Sequence, residues 1–172
     1  MATSEIESAV LALFGECGRP LRRYVGSLGI GAPDAEDVVQ DVFLSLLRHL
    51  QQGKPESNLR GWLFTVAHRL ALKHRARTAR RRNVLDGDVA SAAEPVDSAD
   101  TPQERLERTE RQTRLLRVLR ALPERDRQCL YLRASGLRYR EISEVTGMSL
   151  GAVSKSLARS VSRMANADDA SV

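Results

Sequence analysis

The chain has 172 residues and a formal net charge of +5, with 42% hydrophobic and only 4% aromatic residues. This length suits one or two small domains, and the excess of basic residues indicates a polyanionic partner. No segment approaches the roughly 20 apolar residues that cross a bilayer, and the N-terminus lacks the basic start and apolar run of a secretory signal. The sequence therefore predicts a cytoplasmic protein without membrane insertion.

Leu, Ala, Val and Arg dominate the chain, and no run of alternating β-branched residues is long enough for a sheet. We therefore predict an all-α fold. The two cysteines, Cys17 and Cys129, lie far apart and lack CxxC or histidine-ligand spacing. They indicate neither a disulfide framework nor a zinc site, and we expect buried thiols in a reducing cytoplasm.

The first predicted helix covers residues 6 to about 28, with an interruption or bend around Gly18 and Pro20. The GIGAPD segment then breaks the chain, and Asp34 is a suitable N-cap for the second helix, from 35 to about 50. The core stripe of that second helix is predicted to be Val39, Val42, Phe43, Leu46 and Leu50.

The opposite face of the second helix is acidic with a leucine at its centre. Asp37, Asp41 and Leu44 fall on one line at the helical period. A solvated face does not need a leucine there, so we interpret it as a docking surface for a partner helix. The candidate docking residues are Asp37, Gln40, Asp41, Leu44 and Arg48.

Two other interpretations of this acidic helix stay open. Single exposed leucines are common, so the face could be an ordinary solvated one. A divalent-cation site formed by Asp34, Glu36, Asp37 and Asp41 is a weaker alternative, because side chains at helical spacing scatter around the helix and no calcium-type loop is present.

The third predicted helix starts at Asn58, after the hydrophilic segment QQGKPES, and is strongly basic. Residues 60–82 contain eight Lys or Arg residues and no acid. Such a block repels itself unless a polyanion neutralises it, so we predict that this helix binds nucleic-acid phosphates. The single Trp could stack on an unpaired base or could be a core residue. The candidate contacts are Trp62, Arg69, Lys73, Arg77, Arg80 and Arg81.

An acidic linker is predicted after the basic helix. Residues 83–100 contain five acids and no Lys or Arg, with Ala, Ser, Gly and Pro between them. Too little apolar surface is present to offset the entropy of ordering, so we expect a flexible segment over 83–102 that could cover the basic helix. The sequence Thr101-Pro102-Gln103 is typical of a helix start, and the fourth helix is predicted to end near Leu122.

Residues 122–164 have the pattern of a helix-turn-helix: two short helices, a turn and a third helix. The apolar periodicity before the turn stops at Thr146 and Gly147, where a glycine can adopt the left-handed conformation that ends a helix. Ser149 is a suitable N-cap for the helix that begins at Leu150. The last helix therefore has a defined start.

The last helix is predicted to pack through a stripe of Leu150, Val153, Leu157, Val161 and Met164. Its free face is basic and has small residues near its start, which suits entry into a DNA major groove about 12 Å wide. Lys155 and Arg159 are predicted to reach base edges. The full set of candidate DNA contacts is Ala152, Lys155, Ser156, Arg159, Ser162 and Arg163, with Arg138 and Arg140 as phosphate contacts before the turn. An ordinary amphipathic surface helix is the alternative.

Three segments in this order resemble the bacterial sigma-70 family, of the small extracytoplasmic-function (ECF) type. DAEDVVQDVFLSLL is similar to the family's region 2.2, and NLRGWLFTVAHRLALKHRARTARRR is similar to regions 2.3 and 2.4. LPERDRQCLYLRASGLRYREISEVTGMSLGAVSKSLARS is similar to regions 4.1 and 4.2. The resemblance covers nearly the whole chain, although regions 1.1 and 3 of larger members have no counterpart.

The resemblance implies a region 2 domain over 1–82, a linker over 83–102, a region 4 domain over 103–165 and a disordered tail over 166–172. Region 2.2 is then expected to dock on the β′ coiled coil of RNA polymerase core enzyme, whose β subunit is a further partner. Regions 2.3 and 2.4 are expected to melt and read the minus-ten element of promoter DNA. The last helix is expected to read the minus-thirty-five element, and an anti-sigma factor is expected to regulate the protein.

The chain departs from the family pattern at two places. Arg69 and Lys73 stand where many relatives have Asn and Asp. Ala152, Ser154 and Ser156 stand where relatives often have Thr and a basic pair. The resemblance therefore does not predict which minus-ten or minus-thirty-five sequences are preferred.

The sequence shows no arrangement of nucleophile, base or phosphate loop, so we predict a non-enzymatic specificity subunit without a cofactor or metal. A stand-alone helix-turn-helix regulator is one alternative, but it leaves the acidic face and the basic block unexplained. A helical adaptor that binds only protein is another, but it leaves two separate basic surfaces unexplained.

Overall fold

The computed structural model describes residues 3–55, 57–82 and 102–169. Within these ranges the chain forms seven helices and no strand, so the all-α prediction is confirmed. The helices are α1 Thr3–Ser27, α2 Ala32–Gln51, α3 Leu59–Arg82, α4 Pro102–Ala121, α5 Glu124–Ala134, α6 Tyr139–Thr146 and α7 Leu150–Asp169.

The first helix is continuous from Thr3 to Ser27, so of the predicted interruption or bend the interruption is wrong. Pro20 lies inside α1. Leu21, Tyr24 and Val25, which follow this proline, are all fully buried. A proline nitrogen cannot donate a helical hydrogen bond, which destabilises the helix at this point. The burial of these three side chains offsets that loss, because most helical stability in proteins comes from packing of a buried face.

The second helix starts earlier than predicted. Gly31 is its N-cap residue and Pro33 lies in its first turn, where a missing N–H costs nothing. The predicted N-cap role of Asp34 is therefore wrong. Its carboxylate instead lies in the first turn, near the positive end of the helix dipole, 3.6 Å from the His74 Nε2 of α3.

The start of α3 and the turn before α7 are confirmed. Asn58 Oδ1 accepts a hydrogen bond from the backbone N–H of Gly61 at 3.2 Å. Gly147 ends α6 in the left-handed conformation, with φ 70°. Ser149 Oγ accepts from the backbone N–H of Ala152 at 3.2 Å and so caps α7.

The predicted linker lies outside the described residues, apart from Pro102 at the start of α4. The tail differs from its prediction, because α7 continues to Asp169. The disorder predicted for residues 166–169 is therefore wrong, while residues 170–172 lie outside the described part of the chain. Alanines in the last turns favour this continuation.

One continuous cluster of buried apolar side chains joins the N-terminal helices to the helix-turn-helix. Phe64 of α3 and Leu132 of α5 both belong to it and are both fully buried. Tyr24 of α1 packs edge-on against Phe64, with ring centroids 5.7 Å apart, and its hydroxyl lies 2.7 Å from His68 Nδ1. Burial raises the pKa of Tyr24 and lowers that of His68, so both groups are neutral near pH 7.

Polar contacts across the same boundary involve three arginines. Arg60 of α3 crosses it by donating from Nη1 to the Ser135 carbonyl at 3.2 Å, while its Nη2 donates to Glu16 Oε2 of α1, on its own side, at 3.2 Å. Two further contacts are the ion pair between Arg75 and Glu124 and the 3.3 Å hydrogen bond from Arg127 Nε to the Ser27 carbonyl. The sequence left the relative placement of the two halves open; here α5 and α6 pack on α1 and α3.

Both cysteines are buried, as expected, and desolvation raises the pKa of each thiol. None of the described helices has the length and apolarity of a membrane span.

The shared core predicts a large difference between two leucine substitutions. Leu132→Ala should lower the free energy of unfolding by about 2–5 kcal/mol, because a fully buried leucine leaves a cavity. Leu72→Ala is the matched control, because Leu72 is 44% exposed and its loss should change stability by less than about 0.5 kcal/mol. Urea unfolding measures both values, and equal losses would contradict this packing.

Candidate nucleic-acid and protein interfaces

The outer face of α2 is free of packing. Asp37, Gln40, Asp41 and Arg48 are exposed, and Leu44 is 50% exposed between them. The opposite side of the helix is buried through Ala35, Val38, Val39, Val42, Phe43, Leu46 and Leu50. The structure therefore places the five predicted docking residues together on one accessible surface, called the α2 docking face below.

The apolar surface beside this face is larger than the sequence indicated. Phe14 of α1 is 46% exposed although its ring packs edge-on against Phe43, with centroids 5.0 Å apart. Leu11, about one turn earlier in α1, is 71% exposed. Apolar periodicity alone does not predict this exposure, because it does not show how much of a ring its neighbours cover.

The acids that could have formed a cation site do not converge. Asp34 pairs with His74, and Glu36 Oε1 lies 3.4 Å from Arg22 Nη2. No group of three His, Cys, Asp or Glu side chains in the described ranges is arranged to hold a metal ion. The divalent-cation interpretation therefore has no support from the geometry.

The basic face of α3 is exposed along its length, with Arg69, Lys73, Arg77, Arg80 and Arg81 all accessible. Trp62 lies on the same helical line as Arg69, Lys73 and Arg80. It is half-buried, and its ring centroid is 4.6 Å from that of His49. Trp62 thus packs on His49 while part of its surface stays accessible beside the basic side chains.

At the entry to the helix-turn-helix, the Glu141 side chain caps the start of α6. The Arg138 backbone N–H donates to Glu141 Oε2 at 2.6 Å at the start of α6. Arg138 and Arg140 are exposed, as a phosphate-contacting role requires. Tyr139 between them is 42% exposed, and the Arg133 guanidinium carbon lies 5.8 Å from its ring centroid.

The packed face of α7 differs from its prediction. Ser156 is fully buried, so its predicted role as a DNA contact is wrong. Leu150 and Val161, predicted to be packed, are 46% and 59% exposed. The face that packs consists of Val153, Ser156, Leu157 and Ser160. The two serines tolerate burial because both hydroxyls donate hydrogen bonds. Ser156 donates to Asp126, and Ser160 donates to the backbone carbonyl of Ser156.

The free face of α7 is accordingly rotated from the predicted one. Lys155 and Ser162 are exposed near its centre, as expected. Ala158, which sequence reasoning missed, is exposed there too, and Ser154 is exposed toward the side opposite Arg159. Of the other predicted contacts, Arg159 and Arg163 are exposed at the flank and Ala152 is half-buried. The sequence carries no signal for this rotation, because helical periodicity identifies a packed stripe through its apolar residues and the two buried residues here are serines.

A buried carboxylate at the start of α5 binds the side of α7. Asp126 is 2% exposed, and its Oδ1 accepts from Ser156 Oγ at 2.7 Å. Arg159 donates from Nη2 to Oδ1 at 2.9 Å and from Nε to Oδ2 at 3.3 Å. The Arg159 guanidinium holds the pKa of Asp126 below its usual range; the Ser156 hydroxyl adds to this effect, while burial opposes it.

An apolar groove lies on the outer side of the helix-turn-helix, between α4, α5 and α7. Its lining residues are Leu115, Leu130, Val161, Met164 and Ala165. The exposure of Val161 therefore belongs to a concave apolar surface and not to an isolated side chain.

The family models for Sigma-70 region 2 and Sigma-70, region 4 match residues 13–81 and 112–164. The ECF RNA polymerase sigma factor EcfG of Rhodopseudomonas palustris (strain TIE-1) is 32% identical over 145 residues, covering 84% of this chain and 76% of that protein. The chain belongs to the extracytoplasmic-function sigma factors. The ECF sigma factor SigL of Mycobacterium tuberculosis is 39% identical over 100 residues, covering 57% of this sigma factor and 54% of SigL.

Two solved structures share the fold of this sigma factor. One is the sigma factor RpoE of Bartonella quintana in complex with the anti-sigma factor NepR, with a TM-score of 0.72, 20% identity and coverage of 98% and 99% of the two chains. The other is CnrH in complex with the cytosolic domain of CnrY, with a TM-score of 0.60, 24% identity and coverage of 99% and 94%. The sequence resemblance is thus confirmed, and this sigma factor directs transcription initiation at promoters.

The ionisation of Asp126 should make the sigma factor sensitive to acid. Its pKa is lower in the folded protein than the value of about 3.9 for an unfolded Asp, so its stabilisation is fully present above that value. It is lost as the pH falls through the folded pKa. Between about pH 5 and pH 2, the Tm of the wild type should therefore fall more steeply than that of Asp126→Asn.

Thermal unfolding followed by circular dichroism measures these slopes. Asp41→Asn is the matched control, because Asp41 is exposed on α2 and its loss should leave the wild-type slope unchanged. Parallel slopes for the wild type and Asp126→Asn would show that Asp126 does not carry this acid sensitivity.

Proposed function

We propose that this sigma factor docks on the β′ coiled coil of RNA polymerase core enzyme through the α2 docking face. The observation that carries this proposal is the joint exposure of Leu44 with Asp37 and Asp41 on a helix whose other side is fully packed. A half-exposed leucine surrounded by acids suits a partner helix with an apolar stripe and basic flanks. Phe14, which packs on Phe43 of α2, and Leu11 add exposed apolar surface on α1.

The β subunit is the second proposed contact within core enzyme. The groove lined by Leu115, Leu130 and Val161 is apolar, and it lies away from the α5 and α6 surfaces that pack on α1 and α3. An amphipathic segment can insert its apolar face into such a groove. Region 4 would then be held on the polymerase without using the free face of α7.

The basic face of α3 is proposed to bind and help melt the minus-ten element. Its exposed cations lie along one side of a long helix and can follow a nucleic-acid backbone. Trp62 offers a partly exposed ring on the same line, which suits stacking on a base released from the duplex. Region 4 is proposed to read the minus-thirty-five element through α7, with Arg138 and Arg140 on the phosphates.

Reading both elements requires the two halves to separate. Elements centred roughly 25 base pairs apart lie about 85 Å apart along B-form DNA at 3.4 Å per pair. A compact chain of 172 residues has a radius of gyration of only about 16 Å. The packing of α5 and α6 on α1 and α3 therefore represents a free or inhibited arrangement, and an anti-sigma factor is proposed to stabilise it.

In this proposal the chain is a specificity subunit, and RNA synthesis belongs to the polymerase. Two assays test it together: co-elution with core enzyme, and transcription that depends on a promoter. A stand-alone regulator would bind DNA without core enzyme, and an adaptor would bind protein without supporting transcription.

Removing the centre of the α2 docking face should abolish core binding. The double variant Asp41→Arg, Leu44→Ala replaces one acid and the half-exposed leucine, so both the charge complementarity and the apolar contact are lost. Its helix content should match that of the wild type, because neither side chain packs in the core. Size-exclusion chromatography with core enzyme measures the loss.

The matched control is Leu72→Ala, Glu144→Arg, which changes an exposed leucine and an exposed acid away from α2. This control should co-elute with core enzyme like the wild type. Normal affinity of the Asp41→Arg, Leu44→Ala variant would show that the α2 face is an ordinary solvated surface.

Neutralising the α3 face should weaken DNA binding and its dependence on salt. Arg69→Ala and Lys73→Ala should each lower the slope of log K against log salt by about one, because each removes one phosphate contact. The control is Arg22→Ala, since Arg22 is exposed on α1 and pairs with Glu36. Titration of the holoenzyme with a forked minus-ten duplex at several salt concentrations gives the slopes; unchanged slopes would contradict this surface.

A further inference from the structure

A polar cleft of about 890 Å³ opens between the start of α3 and the start of α6. Asn58 and Arg60 form its wall on the α3 side, and Arg138, Tyr139 and Arg140 form its wall on the α6 side. The two walls belong to different halves of the chain, so the cleft exists only while α5 and α6 pack on α1 and α3. Its volume is within the range of pockets that hold small organic ligands.

The lining of this cleft is predominantly basic. Three arginines and one glutamate contribute to it, and that glutamate, Glu141, accepts from the Arg138 backbone N–H through Oε2. Neither the Arg138 nor the Arg140 guanidinium forms an ion pair with a carboxylate of the described residues. A cleft lined by one sign of charge concentrates the electrostatic potential, so this one attracts an anion.

Arg60 is held in place by the protein on its side of the cleft. Its guanidinium donates to the Ser135 carbonyl and to Glu16, each at 3.2 Å. Gly136, with φ 88°, lies directly against it: a Cβ atom at this position would be 2.8 Å from Arg60 Nη1. These contacts use only part of its N–H groups and fix the guanidinium before a ligand arrives. Since Glu16 offsets the charge of Arg60, the unbalanced cations are Arg138 and Arg140.

The mixture of groups around the cleft indicates the class of ligand. Guanidinium groups bind phosphate oxygens through paired N–H donors, and several of them around one cleft suit a ligand with more than one phosphate. Asn58 Oδ1 accepts from the Gly61 N–H, which leaves its Nδ2 group as a further donor. The Tyr139 residue is 42% exposed, and its aromatic ring can stack on a base.

We propose that this cleft binds a nucleoside diphosphate or triphosphate, with the phosphates on Arg60, Arg138 and Arg140 and the base on Tyr139. A small ligand is favoured over promoter DNA, because reading both promoter elements requires the halves to separate and this separates the two walls. A ligand that binds only the packed arrangement stabilises it relative to the separated one. The nucleotide therefore opposes promoter reading. The site is independent of the proposed function, and only this effect on promoter reading rests on it.

The test of the site is isothermal titration calorimetry of the full chain with ATP, GTP, pyrophosphate and adenosine at one salt concentration. Each nucleotide should bind about 5- to 150-fold more tightly than pyrophosphate, the range of one stacked base. Adenosine should show no measurable binding, because it lacks the phosphates. Equal affinities for the nucleotides and pyrophosphate in the wild type would overturn the assignment of the ligand.

Variants on both walls locate the binding site. Arg60→Ala and Arg140→Ala should each lower nucleotide affinity by about 10- to 150-fold, the range of a lost hydrogen bond to a charged group. Tyr139→Ala should keep pyrophosphate binding and lose the advantage of the nucleotides. The matched control is Arg22→Ala, which removes an exposed arginine outside the cleft and should bind like the wild type.

Circular dichroism establishes that each variant is folded. If Arg60→Ala does not fold, Arg60→Lys takes its place, because it keeps the charge beside Glu16 and loses the paired donor geometry. Unchanged nucleotide affinity in Arg140→Ala would overturn the inference. Weaker binding in Arg140→Ala with no change in the Arg60 variant would show that α6 binds phosphate alone, which overturns a site between the halves. Binding of a DNA duplex that depends on Arg60, with no binding of either nucleotide, would overturn it in favour of nucleic acid.

A second assay separates this inference from the proposed function. The reconstituted holoenzyme is titrated with a promoter duplex in the presence and absence of GTP, which should lower the bound fraction for the wild type and not for Tyr139→Ala. No promoter binding by the wild type without GTP would contradict the proposed function, while calorimetry still decides the site. Normal promoter binding with no nucleotide binding in calorimetry would contradict the inference alone.

Discussion

The packing of α5 and α6 against α1 and α3 is the interaction on which the rest of the structure depends. It joins two small helical units into one apolar core, with Tyr24 and Phe64 on one side and Leu132 on the other. A small domain buries a limited share of its surface, so a shared core adds stability that neither half has alone. The contacts of Arg60, Arg75 and Arg127 at its edge are more exposed. They fix the relative orientation of the two halves more than they add to the free energy of unfolding.

This packing also determines which surfaces remain available. The buried side of α3 includes Phe64 and Ala67, which leaves its basic side facing solvent. The packed side of α2 likewise leaves its acids and Leu44 exposed. The exposed acidic and basic surfaces therefore lie on different helices, α2 and α3.

The helix-turn-helix contains a buried charged contact, in contrast to the exposed arginine contacts between the two halves. A nearly fully buried carboxylate is tolerated at Asp126 because it accepts three hydrogen bonds from α7. That arrangement fixes the rotation of the recognition helix about its axis, since Ser156 must face inward to donate. It also pairs Arg159 of α7 with a carboxylate of α5. One polar contact thus sets both which side of α7 is buried and which of its cations is paired within the protein.

The helices, the turn and most exposed surfaces could be predicted from the sequence, because they depend on residues that are close together in the chain. Gly147 and Ser149 define the turn through backbone conformation and capping, and the spacing of Asp37, Asp41 and Leu44 places them on one face whatever the helix packs against. Only the tertiary structure decided the inward position of Ser156 and the pairing of Arg159. Both depend on Asp126, which is 30 positions from Ser156 and 33 from Arg159, and helical periodicity carries no information about a partner on another helix. The packing of the two halves could not be predicted for the same reason. An apolar pattern in the sequence predicts that a side chain is buried, but only the tertiary structure shows which residues bury it.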